Sequence, residues 1–199
     1  MALPDFDAVP PAGQATLSPS SLAHVVLRTS NLQRMQDFYT TFLGGRVVIR
    51  NGPLAFLAYD DEHHRIALIE VPGTADKVRK SCGLEHIAFA FPTLVDLLLA
   101  YRQRKHRGIE PIWSINHGPT TSIYYRDPDG NMLETQTDNF ASADEATAFM
   151  LGPLFAENPI GTDVDPEALI AALRNGTTED ELKKRPEMGP RGVPDLDAM

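Results

Sequence analysis

The stretch Leu22-Ala23-His24-Val25-Val26-Leu27 returns as Leu84-Glu85-His86-Ile87-Ala88-Phe89, with the two histidines 62 positions apart (24 and 86). A repeat of this kind constrains the fold more than any composition does, because it implies two copies of one supersecondary unit. The segments that follow keep step. Leu32, Met35, Phe38, Tyr39 and Phe42 recur at helical spacing and stop at Gly44-Gly45; Leu94, Leu97, Leu98 and Tyr101 repeat the stripe, with Gly108 as its stop.

Beyond each helix lie short β-type runs separated by turn residues. In the first half these are Arg46 to Arg50, Leu54 to Tyr59 and His64 to Val71. In the second they are Glu110 to Ser114, Ser122 to Arg126 and Met132 to Thr137, the last two joined by Asp127-Pro128-Asp129-Gly130-Asn131. Each half therefore reads βαβββ, an α+β fold. The division is an N-terminal arm over 1–20, a paired-module domain over 21–140 (modules 21–72 and 83–138) and a C-terminal extension over 141–199. The arm is rich in Pro, Ala and Ser and receives no chemistry. In the extension, Ser142 with Glu145 forms a capping box, Asp165-Pro166 opens a short helix and Asn175-Gly176 ends it. From Arg185 onward Pro and Gly predict a loose tail or an arm that wraps a neighbour, consistent with a homo-oligomer.

Charge and cysteine use remove several function classes. With 27 acidic against 18 basic residues the net charge is −9, which opposes the broad basic face that phosphate backbones require, so nucleic acid is no expected partner. The longest apolar run, Leu94 to Tyr101, is broken by Asp96 and is too short to cross a bilayer. A lone cysteine, Cys82, and an acidic N-terminus without a leader pattern place the chain in a reducing cytoplasm.

Strand alternation decides which side chains share a cavity. In the second histidine strand Ile87, Phe89 and Phe91 can pack on the helix while His86, Ala88 and Ala90 face inward, and the small residues leave room for a ligand. A single inward histidine is commonly a hydrogen-bonded core imidazole. A paired recurrence calls for a further explanation. If the halves pack about a pseudo-twofold axis, His24 and His86 meet there, and Glu134, in phase with Met132 and Gln136, points to the same place. Two imidazoles and one carboxylate with other positions open suit a non-haem Fe(II) oxygenase site. His106, beside Lys105 and Arg107, reads as surface, Cys82 as a bystander, and the His63-His64 doublet, on its own, equally as a solvated turn.

Over Leu22 to Thr137, and most closely over His117-Gly118 and Ser122 to Glu134, the sequence resembles the vicinal oxygen chelate superfamily (glyoxalase, bleomycin resistance protein, dioxygenase), and within it the small one-domain extradiol ring-cleaving dioxygenases. The resemblance implies two βαβββ modules forming a mixed curved sheet around a metal cavity. It implies Fe(II), with Mn(II) as an alternative, held by His24, His86 and Glu134, and a catecholic substrate opened beside its two hydroxyls with O2. Catalytic roles fall to His64, His117 and Tyr124. Of the doublet His63-His64, the second is favoured because Ile66-Ala67-Leu68 follows it. Two departures stand out: the loop from His117 to Tyr124 is about two residues short, and Thr74 to Cys82 looks inserted.

Two rivals share the scaffold. A glyoxalase-like isomerase or epimerase would take a fourth ligand from the first module's last strand, where Glu70 is available and Leu68 aligns as well with the symmetry-related place. A metal-free protein that sequesters an antibiotic would need no His/His/Glu set.

Overall fold

Two residues at the repeat interval begin the two main helices in the same way. Asn31 caps α1 (Leu32–Leu43) by accepting from the Arg34 amide, and Thr93 caps α2 (Leu94–Lys105) by accepting from the Asp96 amide. Each first-turn amide also meets a distant carboxylate: Leu32 N donates to Glu70 and Leu94 N to Glu179. Helix α1 ends at Gly44, whose φ of 63° is the left-handed conformation a side chain would resist. At the next residue, Gly45, an added Cβ would stand 2.7 Å from the Ala58 carbonyl oxygen.

The computed structural model describes residues 5, 6, 8 and 16–195, so much of the expected N-terminal arm lies outside the described residues. The first module contributes β1 (Val25–Thr29), β2 (Arg46–Asn51), β3 (Leu54–Ala58) and β4 (Ile66–Glu70), in the sheet order β1-β4-β3-β2. The second contributes β5 (His86–Ala90), β6 (Trp113–Asn116), β7 (Thr120–Arg126) and β8 (Met132–Asp138), ordered β5-β8-β7-β6. In both, the first strand runs parallel to the last and the remaining pairs are antiparallel. The two βαβββ modules of the α+β reading are thus present as separate sheets.

Strand β6 starts later than the expected Glu110 to Ser114. Pro111 has no amide hydrogen to give to a ladder, and regular pairing begins at Trp113. A fifth strand, β9 (Thr162–Asp163), comes from the C-terminal extension and pairs with Ile115 and Asn116. The rest of the extension is helical: α3 (Ala143–Met150), α4 (Pro153–Glu157), α5 (Pro166–Arg174) and α6 (Glu179–Leu182). The segment after Arg185 has no regular structure yet is tied to its own chain. The Arg185 side chain is 1% exposed and donates to the carbonyls of His117, Asn158 and Leu154, and Arg191 pairs with Asp163.

A single core joins the modules. It unites Leu27, Leu57, Ile66 and Leu68 of the first sheet with Met35, Tyr39 and Phe42 of α1. It then continues through Leu94, Leu97 and Tyr101 of α2 to Ile87, Phe89, Ile123, Tyr125 and Leu133 of the second sheet. Phe42 packs edge-on against Tyr125 at 5.1 Å between ring centroids. The buried Arg104 guanidinium lies 4.3 Å over the Phe42 ring and donates to the Phe42 carbonyl. Because alternate residues of a strand face opposite ways, the sheet faces that carry His24 and His86 are both turned away from this shared core.

Candidate active site

Strand register assembles the site on the second sheet. Ala88 stands opposite Glu134, Glu134 opposite Tyr124, and Tyr124 opposite Trp113, so one row crosses four strands on the face away from the core. His86 begins β5 one step along the same face, and its Nε2 lies 3.0 Å from Glu134 Oε2. Glu134 is 5% exposed. Burial pushes its carboxyl upward, but hydrogen bonds from His86 and Ser122 and the nearby His86 and His117 outweigh this and hold it below its ordinary value. The same hydrogen bond raises His86 against the opposing effect of its burial.

Tyr124 is buried beside this pair, with Trp113 stacked on its ring at 5.0 Å between centroids and His86 edge-on at 5.6 Å. Burial, then the Glu134 charge, drives its phenol well above the ordinary value, so it is a proton donor at neutral pH. Its hydroxyl is 3.0 Å from Nε2 of His117. The other ring nitrogen, Nδ1, meets the Ile160 carbonyl, which can only accept. That contact assigns the proton to Nδ1 and leaves Nε2 as the acceptor for the tyrosine hydroxyl. Burial lowers the His117 pKa, keeping the ring neutral. His117, Tyr124, His86 and Glu134 therefore form one connected constellation. The short loop after His117 does not prevent its reach.

The other sequence candidates gather elsewhere. His24, immediately before β1, is exposed and lies 4.5 Å from His64 between ring centroids; Phe56 meets His64 edge-on at 4.9 Å, and His63 stands 4.5 Å on another side. Burial, then the neighbouring imidazoles His24 and His63, lowers the His64 pKa. This second cluster sits on the outward face of the first sheet. Among the described residues no group of three His, Cys, Asp or Glu side chains is placed to hold a metal ion. Two of the three expected ligands, His86 and Glu134, converge in one chain, and the third, His24, does not join them.

The register also answers the question of a fourth ligand. Val26, the repeat counterpart of Ala88, pairs with Ala67, just as Ala88 pairs with Glu134. The place related to Glu134 is thus Ala67, not Leu68 or Glu70. Glu70 pairs with Thr29 and accepts from the Leu32 amide, so its carboxylate serves the start of α1.

Several supporting residues carried no assigned role in the sequence. Ser122, fully buried, hydrogen-bonds Glu134, and its spacing of two from Tyr124 on one strand was a usable signal. Ile160 and Arg185 of the extension hold His117 directly, Asn158 braces them by accepting from the Ile160 and Gly161 amides and from Arg185, and no periodic pattern marks the three. His106 and Cys82 are exposed, in line with the surface and bystander readings. No helix among the described residues is long and apolar enough to cross a membrane.

Comparison with known proteins sets this geometry in context. A family model described as "Glyoxalase/Bleomycin resistance protein/Dioxygenase superfamily" matches residues 21–135. The chain is 48% identical over 162 residues to biphenyl-2,3-diol 1,2-dioxygenase 2 of Rhodococcus globerulus, covering 80% of this chain and 85% of that one. It is 46% identical over 166 residues to biphenyl-2,3-diol 1,2-dioxygenase 3 of the same organism, covering 82% and 87%. Lactoylglutathione lyase of Escherichia coli O157:H7 is 30% identical over 121 residues, 57% of this chain and 89% of the enzyme. Among solved structures, a glyoxylase/bleomycin resistance protein/dioxygenase domain from Frankia sp. EAN1pec superposes with a TM-score of 0.54 at 22% identity, over 63% of this chain and 96% of that one; this likeness concerns the fold.

Proposed function

The chain belongs to the Glyoxalase/Bleomycin resistance protein/Dioxygenase superfamily, and on that premise we propose that it is an extradiol dioxygenase. It opens an aromatic ring carrying two adjacent hydroxyls at the bond beside the diol, with O2 as the second substrate. The observation that carries this reading is the buried row Glu134, Tyr124 and His117 beside His86 on one sheet face, in a chain nearly half identical along most of its length to two enzymes named for that reaction on biphenyl-2,3-diol.

The donors proposed for the metal are His86 and Glu134 with His24, and the metal is Fe(II), with Mn(II) as the alternative: imidazole and carboxylate ligands with open positions suit both. One chain brings only the first two of these donors together. The chain's own groups do the following. Tyr124 donates to a substrate oxygen, and Nε2 of neutral His117 accepts the proton that a diol hydroxyl gives up when it enters hydrogen-bond range of the pair. The face of Trp113, stacked on Tyr124, offers apolar contact to the ring. His64, on the other face, is proposed as the group that meets the oxygen side of the reaction once His24 joins the ligand set. The work site is a reducing cytoplasm, where the exposed Cys82 stays a thiol.

The test is anaerobic loading with ferrous iron, followed by air and a panel of catechols headed by biphenyl-2,3-diol. Equimolar oxygen uptake and a yellow ring-opened product are expected. No oxygen uptake with any diol would overturn the proposal.

A further inference from the structure

The segment from Lys183 to Arg191 forms no helix or strand, yet it grips the two side chains that flank Tyr124, with one arginine for each. His117 lies on the connection between β6 and β7, and a loop residue keeps a fixed geometry only where something outside the loop holds it. Arg185 supplies that hold with every N–H it has. Its Nη1 donates to the carbonyls of His117 at 3.2 Å and Asn158 at 2.7 Å, its Nη2 to Leu154 at 3.0 Å and Glu187 at 2.8 Å, and its Nε to Glu187 at 3.1 Å. One nitrogen thus ties together both ends of the contact that fixes the His117 ring. One end is the main chain of His117 itself. The other is Asn158, whose side chain accepts from the Ile160 and Gly161 amides and so sets where the Ile160 carbonyl stands. Phe149 lies 5.1 Å from the guanidinium and fills the space that a Cβ on Gly118 would take.

Arg191 does the same for Trp113. Its Nη2 meets both carboxylate oxygens of Asp163, at 2.8 and 2.9 Å, and Asp163 accepts from the Trp113 indole at 2.8 Å. The Asp163 side chain is 59% exposed and would be free to turn away without this pairing. Between the two arginines the main chain is pinned as well, by Asn116 donating to the Lys183 carbonyl and Thr162 to that of Pro186.

We propose that Arg185 and Arg191 are positioning residues of the reaction with separate duties. Arg185 holds the proton-accepting nitrogen of His117 in place, and Arg191, through Asp163, holds Trp113 as the wall on which the diol ring rests. These duties rest on the ring-cleavage reading; the positions that the arginines enforce do not. Both lie beyond residues 21–135, the stretch matched by the family model, so the tail sets an acid-base group and an apolar wall that the paired modules carry but do not fix by themselves. The two arginines share no acceptor, so the duties separate. Disturbing His117 weakens a proton transfer made only on the way to product, which lowers kcat. Disturbing Trp113 weakens a contact made equally in the bound substrate and the transition state, which raises KM. Lysine cannot replace Arg185, because its ammonium is a point donor where the guanidinium fork spans several acceptors.

The test compares Arg185→Lys, Arg191→Gln and a control on the same segment, Met188→Ala at a residue 57% exposed, as full-length iron-loaded protein with biphenyl-2,3-diol. Arg185→Lys should lower kcat by about 10²-fold, the scale set by a small misplacement of a reacting group, with KM kept. Arg191→Gln should raise KM by about tenfold, the lower end for an ill-fitting apolar wall, with kcat kept. Met188→Ala should change neither. Two further readouts need no turnover. Trp113 is the only tryptophan, so Arg191→Gln should shift the emission to the red and increase its quenching by acrylamide, and Arg185→Lys should not. The ring 15N shifts of His117, recorded with diamagnetic Zn(II) in place of iron and assigned by their loss in His117→Ala, should show the Nδ1–H tautomer in the wild type and a mixture in Arg185→Lys alone.

If both arginine variants move kcat and KM alike and in step with a lower melting temperature, the arginines serve only the fold and the inference is overturned. Arg191 is the milder replacement, at 17% side-chain exposure, and its KM and fluorescence decide the inference if Arg185→Lys does not fold. A wild type that turns over no diol, with fluorescence and 15N shifts moving as stated, sinks the ring-cleavage reading and spares the positioning. Ring opening by the wild type, with rates and both signals unchanged in the two variants, does the reverse.

Discussion

The Tyr39 hydroxyl on α1 donates to Asp127 Oδ2 at 2.9 Å, a buried hydrogen bond between the helix of one module and the strand-connecting turn of the other. Asp127 also accepts from the amides of Asp129 and Asn131 and from the Asn131 side chain. The Asp-Pro-Asp-Gly-Asn turn therefore docks α1 as well as reversing the chain.

Tyr39→Phe removes one donor from a buried carboxylate while keeping the ring. A loss of about 1–3 kcal/mol is expected, the usual cost of leaving a buried acceptor short of a partner, read as a lower urea midpoint. An unchanged midpoint would mean that the turn, and not the tyrosine, sustains Asp127.

Much of the architecture is legible in the sequence because its signals are local. Both helices, the glycine stop of α1 and the strand phase that turns Glu134 inward follow from spacing alone, whereas Tyr124 entered through the family resemblance and its place opposite Glu134 through the strand register. The place opposite Glu134 in the first module was not legible. Ala67 is 43 residues beyond His24 whereas Glu134 is 48 beyond His86, so counting across shorter loops oversteps toward Leu68 and Glu70. Nor does a pattern say which partner a sheet face meets. The stripe on α1 would look the same whether it packed on its own sheet alone or, as found, also on Tyr125. The two-residue strand β9 and the carbonyl contacts of Arg185 leave no periodic trace.

Gly161 has φ 112°, and an added Cβ would lie 2.2 Å from the Asn116 carbonyl oxygen. Backbone cannot give way there as a side chain tip would. Gly161→Ala should cost roughly 1–3 kcal/mol of local strain and displace Ile160, whose carbonyl fixes the His117 tautomer. The expected outcome is a fall in kcat with iron content preserved; wild-type kcat would detach Ile160 from the positioning of His117.

Helix α5 is held to α2 through Glu167, which accepts from Lys105, Tyr101 and Arg102. The hydrogen bonds from Lys105 and Tyr101 hold its carboxyl below the ordinary 4.5. A depressed carboxylate contributes stability that is present above its unfolded value and lost as the pH falls through the folded one. The melting temperature of Glu167→Gln should therefore lie below wild type at pH 6 to 7, and the difference should close below about pH 4.5. A gap of constant size down to pH 3 would assign the effect to packing.

Two substitutions separate holding the metal from using it. His86 sits 3.0 Å from Glu134, so His86→Ala removes a proposed ligand and leaves a buried carboxylate without its partner. Iron retention should vanish while the far-ultraviolet circular dichroism persists. His117 touches Tyr124 and the Ile160 carbonyl and is no ligand in the proposed set. His117→Ala should keep wild-type iron and lose about 10²- to 10⁴-fold in kcat, the range for one acid or base group. The acid limb of the wild-type rate profile should lie below the free-imidazole pKa of 6.5, since burial favours the neutral ring. If His86→Ala retains full iron the ligand assignment fails, and if His117→Ala turns over at the wild-type rate the proton acceptor must be sought elsewhere, with His64 on the opposing face the next residue to replace.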